Sequence, residues 1–145
     1  MRRFLYDTNV FVYALGAEHP YREPCRALVA SQRDELVRGE ASTALVQEFC
    51  QQRWRQTRDR GRSAADAAGL AAALILHEVT RSDLTAALDL YAGHDRLDPL
   101  DAVYAAAALN RGIDAIVSAD RALDGVRGLE RVDPLDVAAI RALGA

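Results

Sequence analysis

Short apolar runs alternate along this chain with longer stretches of helical periodicity, and that alternation constrains the fold more than any other feature. It predicts an α/β domain: a central, mostly parallel sheet in a three-layer α/β/α arrangement, with helices as the crossovers. Residues 3 to 6 read as the first strand and residues 9 to 16 as a short helix ending at Gly16, with a loop at His19-Pro20. A second helix is expected from Arg22 to Arg38, then a brief strand or turn at residues 39 to 42. Ser42 or Thr43 would cap a helix holding Leu45, Val46, Phe49 and Cys50, which runs through an Arg-rich stretch until Gly61 breaks it. Ser63 to Asp66 reads as the cap of an Ala-rich helix through Leu76, His77 to Thr80 as a third strand, and Ser82 or Asp83 to Tyr91 as the next helix. Asp98-Pro99-Leu100-Asp101 opens a further Ala-rich helix closed by Gly112. Strands at residues 115 to 117 and 129 to 132 and a helix from about Leu135 complete the expected elements.

Acidic residues recur at the junctions of these elements. Asp7 follows the first strand, Asp120 follows Ala115-Ile116-Val117, Asp101 lies in the first turn of a helix, and Glu48 lies on the helix after residue 42. In open α/β sheets, ligands collect beyond the carboxyl ends of the strands. Clustered carboxylates repel and raise one another's pKa unless a divalent cation neutralises them. The pattern therefore points to metal-dependent phosphodiester chemistry. Each acid also has a plainer reading: Asp7 as a helix cap, Asp98 as a cap with Pro99 at the first helical position and Asp101 at the third, Asp120 as a turn residue, and Glu48 as a solvated helix residue. Asp98 is read as a cap or supporting acid, and Asp124, before Gly125, as a turn residue or supporting acid.

Composition is compatible with this chemistry. The 145 residues, half of them hydrophobic, fit one domain spanning residues 1 to 145. Cys25 and Cys50 lack metal-ligand spacing and both read as reduced core thiols. The apolar run after Arg2-Arg3 is interrupted by Asp7 and Asn9, and no run of about 18 apolar residues follows, so a soluble, cytoplasmic protein with no membrane partner is expected. All eighteen basic residues are Arg. The net charge of −3 would become +1 with two bound divalent ions, so acidity does not exclude an RNA substrate.

Taken together, the motifs resemble the PIN-domain family, and within it the VapC-type toxins of bacterial toxin–antitoxin pairs. Leu5-Tyr6-Asp7-Thr8-Asn9-Val10 is similar to the family's opening strand and first acid, and Thr43 to Phe49 to its second acidic helix. Leu97 to Ala107 is similar to the third-acid helix, Ile116 to Arg121 to the fourth acidic motif, and Val132-Asp133-Pro134 to the usual ending. The resemblance implies a ribonuclease dependent on Mg²⁺ or Mn²⁺, with one or two ions held by Asp7, Glu48, Asp101 and Asp120, and products bearing a 5′-phosphate and a 3′-hydroxyl. Thr8, Asn9 and Ser118 would support the carboxylates or the phosphate. It also implies a cognate antitoxin protein that blocks the site, and a homodimer. Tyr13, Leu15 and the helix around Leu70 to Leu76 are candidates for apolar contact surface. A haloacid-dehalogenase-like phosphatase would need a second Asp where Asn9 stands, and a Lys that this chain lacks.

Arg53, Arg55, Arg58, Arg60 and Arg62 crowd one decade of sequence beside Trp54. The run reads as a solvated helix end or as an RNA-backbone contact, with Arg53, Arg55 and Arg58 as candidates, because guanidinium groups bind phosphate bidentately. The rival to a nuclease is a catalytically inactive PIN-like module that acts in an antitoxin/repressor complex.

Overall fold

The computed structural model describes residues 1–145 and contains five strands, seven α-helices and a 3-10 turn. In chain order these are β1 (Arg3–Tyr6), α1 (Asn9–Leu15), α2 (Arg22–Arg33), β2 (Arg38–Ser42), α3 (Thr43–Thr57), α4 (Arg60–Ala73) and β3 (Ile75–His77). They continue with α5 (Arg81–Gly93), α6 (Pro99–Asn110), β4 (Ala115–Val117), the turn Arg121–Leu123, β5 (Glu130–Val132) and α7 (Val137–Gly144). The sheet order is β3-β2-β1-β4-β5, and every pairing is parallel, with Tyr6 opposite Val117 and Leu5 opposite Glu40. Because β1 to β3 advance one way and β4 and β5 the other, right-handed crossovers put the intervening helices on opposite faces. This is the expected α/β/α architecture, wholly parallel rather than mostly so.

The centre is dry. Phe4, Leu5 and Tyr6 of β1 and Ala115, Ile116 and Val117 of β4 are all buried, as strands covered on both faces must be. Over them lies α6, whose residues Ala102, Tyr104, Ala105, Ala106, Ala107 and Ala108 are buried almost all round the helix. From the other side α1 and α3 contribute Val10, Phe11, Leu45 and Phe49. Cys25 is buried and unpaired, and burial pushes its thiol up to about 12, consistent with an inert core thiol; Cys50 is also free but only half-buried, against the edge of the core and not within it as expected.

Several boundaries differ from expectation. The second helix stops at Arg33: Leu36 N–H bonds back to the Ser31 carbonyl, Glu35 takes a positive φ of 58°, and residues from Arg38 onward become a strand paired on both sides. Pairing overrides the poor strand propensity of Arg-Gly-Glu-Ala-Ser. Gly39 is needed there, because a Cβ would stand 2.1 Å from the Tyr6 ring. The α3–α4 break falls at Arg58 (φ 56°), with Asp59 capping α4 by accepting from Arg62 N–H at 3.0 Å, so Gly61 and Ser63 lie inside α4. β3 is Ile75–His77, and Thr80 instead caps α5 in a reciprocal box with Asp83.

Candidate active site

The winding direction reverses between β1 and β4, so the connections leaving their carboxyl ends diverge and leave a crevice above the sheet. Asp7 is the first residue beyond β1 and Ser118 the first beyond β4; Asp7 N–H donates to the Val117 carbonyl at 3.0 Å. The crevice is a cavity of about 340 Å³ lined by Asp7, Glu48, Asp98, Asp101 and Asp120, together with Thr8, Asn9, Val12, Tyr13 and Gln52. Acids more than a hundred residues apart in sequence thus share one rim.

Local structure sets each side chain. Asp7 Oδ1 accepts from Thr8 N–H at 2.6 Å, while Oδ2 accepts from the Ser118 hydroxyl at 2.6 Å and from Asn9 Nδ2 at 3.2 Å. Asp7 is therefore pinned across the β1/β4 seam and is not a helix cap; Thr8 precedes α1 without a side-chain cap bond. Asn9 also donates to Ser118 Oγ at 3.1 Å and accepts from Ala119 N–H at 3.3 Å, tying the two loops together. Ser42 caps α3, which presents Glu48 one turn in. Asp98 caps α6 by accepting from Asp101 N–H at 2.8 Å, placing Asp101 in the first turn as expected. Asp120 caps the 3-10 turn by accepting from Ala122 N–H at 2.9 Å, and its own N–H donates to Ser118 Oγ at 2.9 Å.

Charge is left uncompensated here. None of the chain's ion pairs involves Asp7, Glu48, Asp98, Asp101 or Asp120. Burial first, then the charges of Asp7, Asp98 and Asp120, push Asp101 up to about 8. Burial likewise pushes Asp7 up to about 6, against the lowering effect of its Ser118 and Thr8 bonds. Burial raises Glu48 as well, with the Thr8 hydroxyl opposing and Asp98 adding to the rise. Asp83 shows the contrast: burial would raise it, yet Arg111, 3.0 Å away, and the Thr80 and Asn110 donors hold it well below the usual carboxylate range. This fold neutralises a buried acid with Arg elsewhere and offers the crevice acids none.

Hard carboxylate oxygens with excess negative charge suit Mg²⁺ or Mn²⁺. No side chain donates to the Asp101 carboxylate, whose one protein partner is the backbone N–H of Asp98, so it keeps oxygen lone pairs for a ligand. No three His, Cys, Asp or Glu side chains stand as a ready-formed cage, so closing on an ion takes side-chain rotation within the open crevice. The donor set fits; the rotamers are not those of a closed site.

Sequence reasoning missed Tyr104, buried under the crevice with its hydroxyl 2.8 Å from Thr8 Oγ1. Its signal was the spacing of three residues after Asp101 on one helix. One candidate is corrected: Arg53 is 4% exposed, and its guanidinium is consumed by Asp66 at 3.0 Å, Gln56 at 2.8 Å and the Leu15 carbonyl. It braces α3 against α4 and is closed to RNA. Arg55 is exposed, and Arg58 lies 4.4 Å from the centre of the Trp54 ring. Asp124 pairs with Arg131 at 2.7 Å and lies outside the crevice lining. A larger hollow of about 640 Å³ between α3 and α4 includes Gln47, Cys50 and Trp54 but no acid, so chemistry and not size singles out the crevice.

A parallel α/β/α fold with acids gathered at its switch point is the arrangement of a PIN domain. The PIN domain family model matches residues 4–129, and the chain belongs to that family. Its kinship is with VapC proteins: it is 37% identical over 144 residues to ribonuclease VapC7 of Mycobacterium tuberculosis, covering 95% of this chain and 96% of that protein. It is 28% identical over 131 residues to ribonuclease VapC13 of the same species, covering 88% and 98%. Among solved structures, the fold is shared with VapC20 of M. tuberculosis, a sarcin-ricin loop cleaving toxin (TM-score 0.67, 20% identity, 85% of this chain and 91% of that one). It is shared too with DNA-bound VapBC from Salmonella typhimurium (TM-score 0.68, 19% identity, 92% and 99%).

Proposed function

We propose that this chain is the toxin of a toxin–antitoxin pair: a single-domain endoribonuclease dependent on Mg²⁺ or Mn²⁺, acting in the cytoplasm and restrained by a cognate antitoxin. The observation that carries the reading is the uncompensated group of acids at the β1/β4 switch point, with Asp101 raised to about 8. The kinship with VapC ribonucleases and the likeness to VapBC complexes support the substrate class and the partner.

Asp7, Glu48 and Asp101 would hold the principal cation, and Asp120 would assist a second or its water. A bound divalent ion supplies Lewis-acid charge for the scissile phosphate and lowers the pKa of the attacking water. Ser118, Thr8 and Asn9 fix Asp7 so that its oxygens do not swing away. Asp98 holds the first turn of α6, and with it Asp101. Hydrolysis by water leaves a 5′-phosphate and a 3′-hydroxyl. Arg55 and Arg58 contact the RNA backbone outside the crevice, where their guanidiniums can spread over phosphate. A homodimer is part of the same reading.

The absence of a ready-formed ligand trio favours one rival, an inactive module that serves only in an antitoxin/repressor complex. One assay separates them: cleavage of total RNA by purified, antitoxin-free protein titrated with Mn²⁺. The nuclease reading expects cleavage that is lost with chelator and in Asp7→Asn; unchanged cleavage in that variant, or none by the wild type, refutes it.

A further inference from the structure

Tyr13, on the last turn of α1, lines the acid crevice, and its ring is one of three that lie nearly parallel at the rim. The His19 imidazole is centred 4.5 Å from Tyr13 with 23° between planes, and the Tyr21 ring 5.3 Å away at 20°. His19 and Tyr21 are 6.0 Å apart at 24°, so the two rings sit side by side against Tyr13. The group is pinned. His19 Nδ1 accepts from Tyr21 N–H at 3.2 Å, and the Tyr21 hydroxyl donates to Asp133 at 2.9 Å, while Asp133 is itself held by Arg131 at 3.2 Å.

Tyr13 and Tyr21 pack against the edge of the core without being enclosed by it. His19 is exposed, and Tyr13 and Tyr21 are only partly buried, so part of this aromatic group stays accessible, with Tyr13 lining the crevice. What fits such a surface is a flat group, a nucleobase or a guanidinium, and the ribonuclease reading favours the base. A phosphate on the rings would face Glu48, Asp98 and Asp120 without a cation, whereas a nucleobase has a π-face and no charge to repel. A base in a duplex has both faces covered, so only an unpaired base can use the rings.

We propose that Tyr13, backed by His19 and Tyr21, is a platform that stacks one unpaired base of the RNA next to the scissile phosphate. This rests on the ribonuclease reading above. Tyr13 then contributes to binding and register, and the acids to the chemistry. Stacking of one base on one ring is worth roughly a 5- to 100-fold change in affinity.

The test is cleavage kinetics of a short single-stranded RNA with Mn²⁺, comparing wild type, Tyr13→Leu, Tyr13→Phe and His19→Ala. KM is expected to rise roughly 5- to 100-fold in Tyr13→Leu with a smaller change in kcat, and to be restored in Tyr13→Phe, which keeps the ring. A series of RNAs, each with one abasic position, extends the comparison: the wild-type advantage over Tyr13→Leu should vanish at one position and persist at the others. If Tyr13→Leu fails to fold, a stacking-quenched fluorescent purine moved along an RNA bound to the uncleaving Asp7→Asn protein reads the same contact, with emission lost at one position only. Unchanged KM in Tyr13→Leu, an advantage that persists at every abasic position, or uniform emission overturns the platform while leaving the nuclease standing. Loss of binding to a short arginine-rich peptide in Tyr13→Leu, with RNA kinetics unchanged, assigns the rings to a protein partner and also overturns it. No cleavage by the wild type overturns both readings.

Discussion

Replacing Asp101 by asparagine removes a charge that the metal-free fold resists, and the size of that resistance follows from the surroundings of the carboxyl. Burial and the neighbouring acids lift it from an ordinary 3.8 to about 8. At about 1.4 kcal/mol per pH unit, a gap of roughly four units sets a ceiling of about 6 kcal/mol. The crevice opens to water and the neighbouring acids share the repulsion, so about 2 kcal/mol is expected in practice. The sign is fixed by linkage. A carboxyl whose folded pKa exceeds its unfolded value contributes stability that is complete below about pH 4 and is lost as pH rises through about 8. Asparagine has no such loss. In chelator, Asp101→Asn should match the wild type in acid and melt roughly 4–8 °C higher by about pH 8, given a few degrees per kcal/mol for a domain of this size. In excess Mn²⁺ the order should reverse, because only the wild type gains binding energy. Thermal melts across pH, with and without Mn²⁺, read both effects. A difference independent of pH, or a variant less stable than wild type in chelator at about pH 8, refutes the electrostatic account.

Other expectations follow from the neighbouring contacts. Arg53→Met should lower stability by about 2–4 kcal/mol in urea denaturation, because it strands Asp66, yet leave cleavage per folded molecule unchanged. Arg55→Ala and Arg58→Ala should weaken RNA binding, and each should flatten the salt dependence of log K by about 0.7, measured by fluorescence titration. Asp98→Ala should lose about 1 kcal/mol with its cap, while Asp98→Asn retains it, so activity surviving in the second but falling in the first marks Asp98 as a positioning residue.

What was legible in the sequence was whatever local chemistry dictates. Phe4-Leu5-Tyr6 and Ala115-Ile116-Val117 are strands because short buried apolar runs have few alternatives, and Asp98-Pro99 opens α6 because the cap and the N-terminal proline act within one turn. β2 was blurred because Arg38–Ser42 carries almost no strand propensity and is a strand only through β1 and β3 on either side. The same non-locality hid Arg53, whose role depends on Asp66 in the next helix, and Tyr104, whose partner Thr8 lies 96 residues away. The acids were found individually as junction residues. Their shared crevice is a consequence of strand order, which the sequence pattern does not state.

Isothermal calorimetry of Mn²⁺ binding to the full chain tests most directly whether these side chains act as one cation pocket. Saturable binding of one or two ions is predicted, weakened at least about tenfold in Asp7→Asn and in Asp101→Asn alike, since removing one charge-bearing ligand costs more than about 1.4 kcal/mol. No binding heat from the wild type, or undiminished binding in both variants, would contradict it.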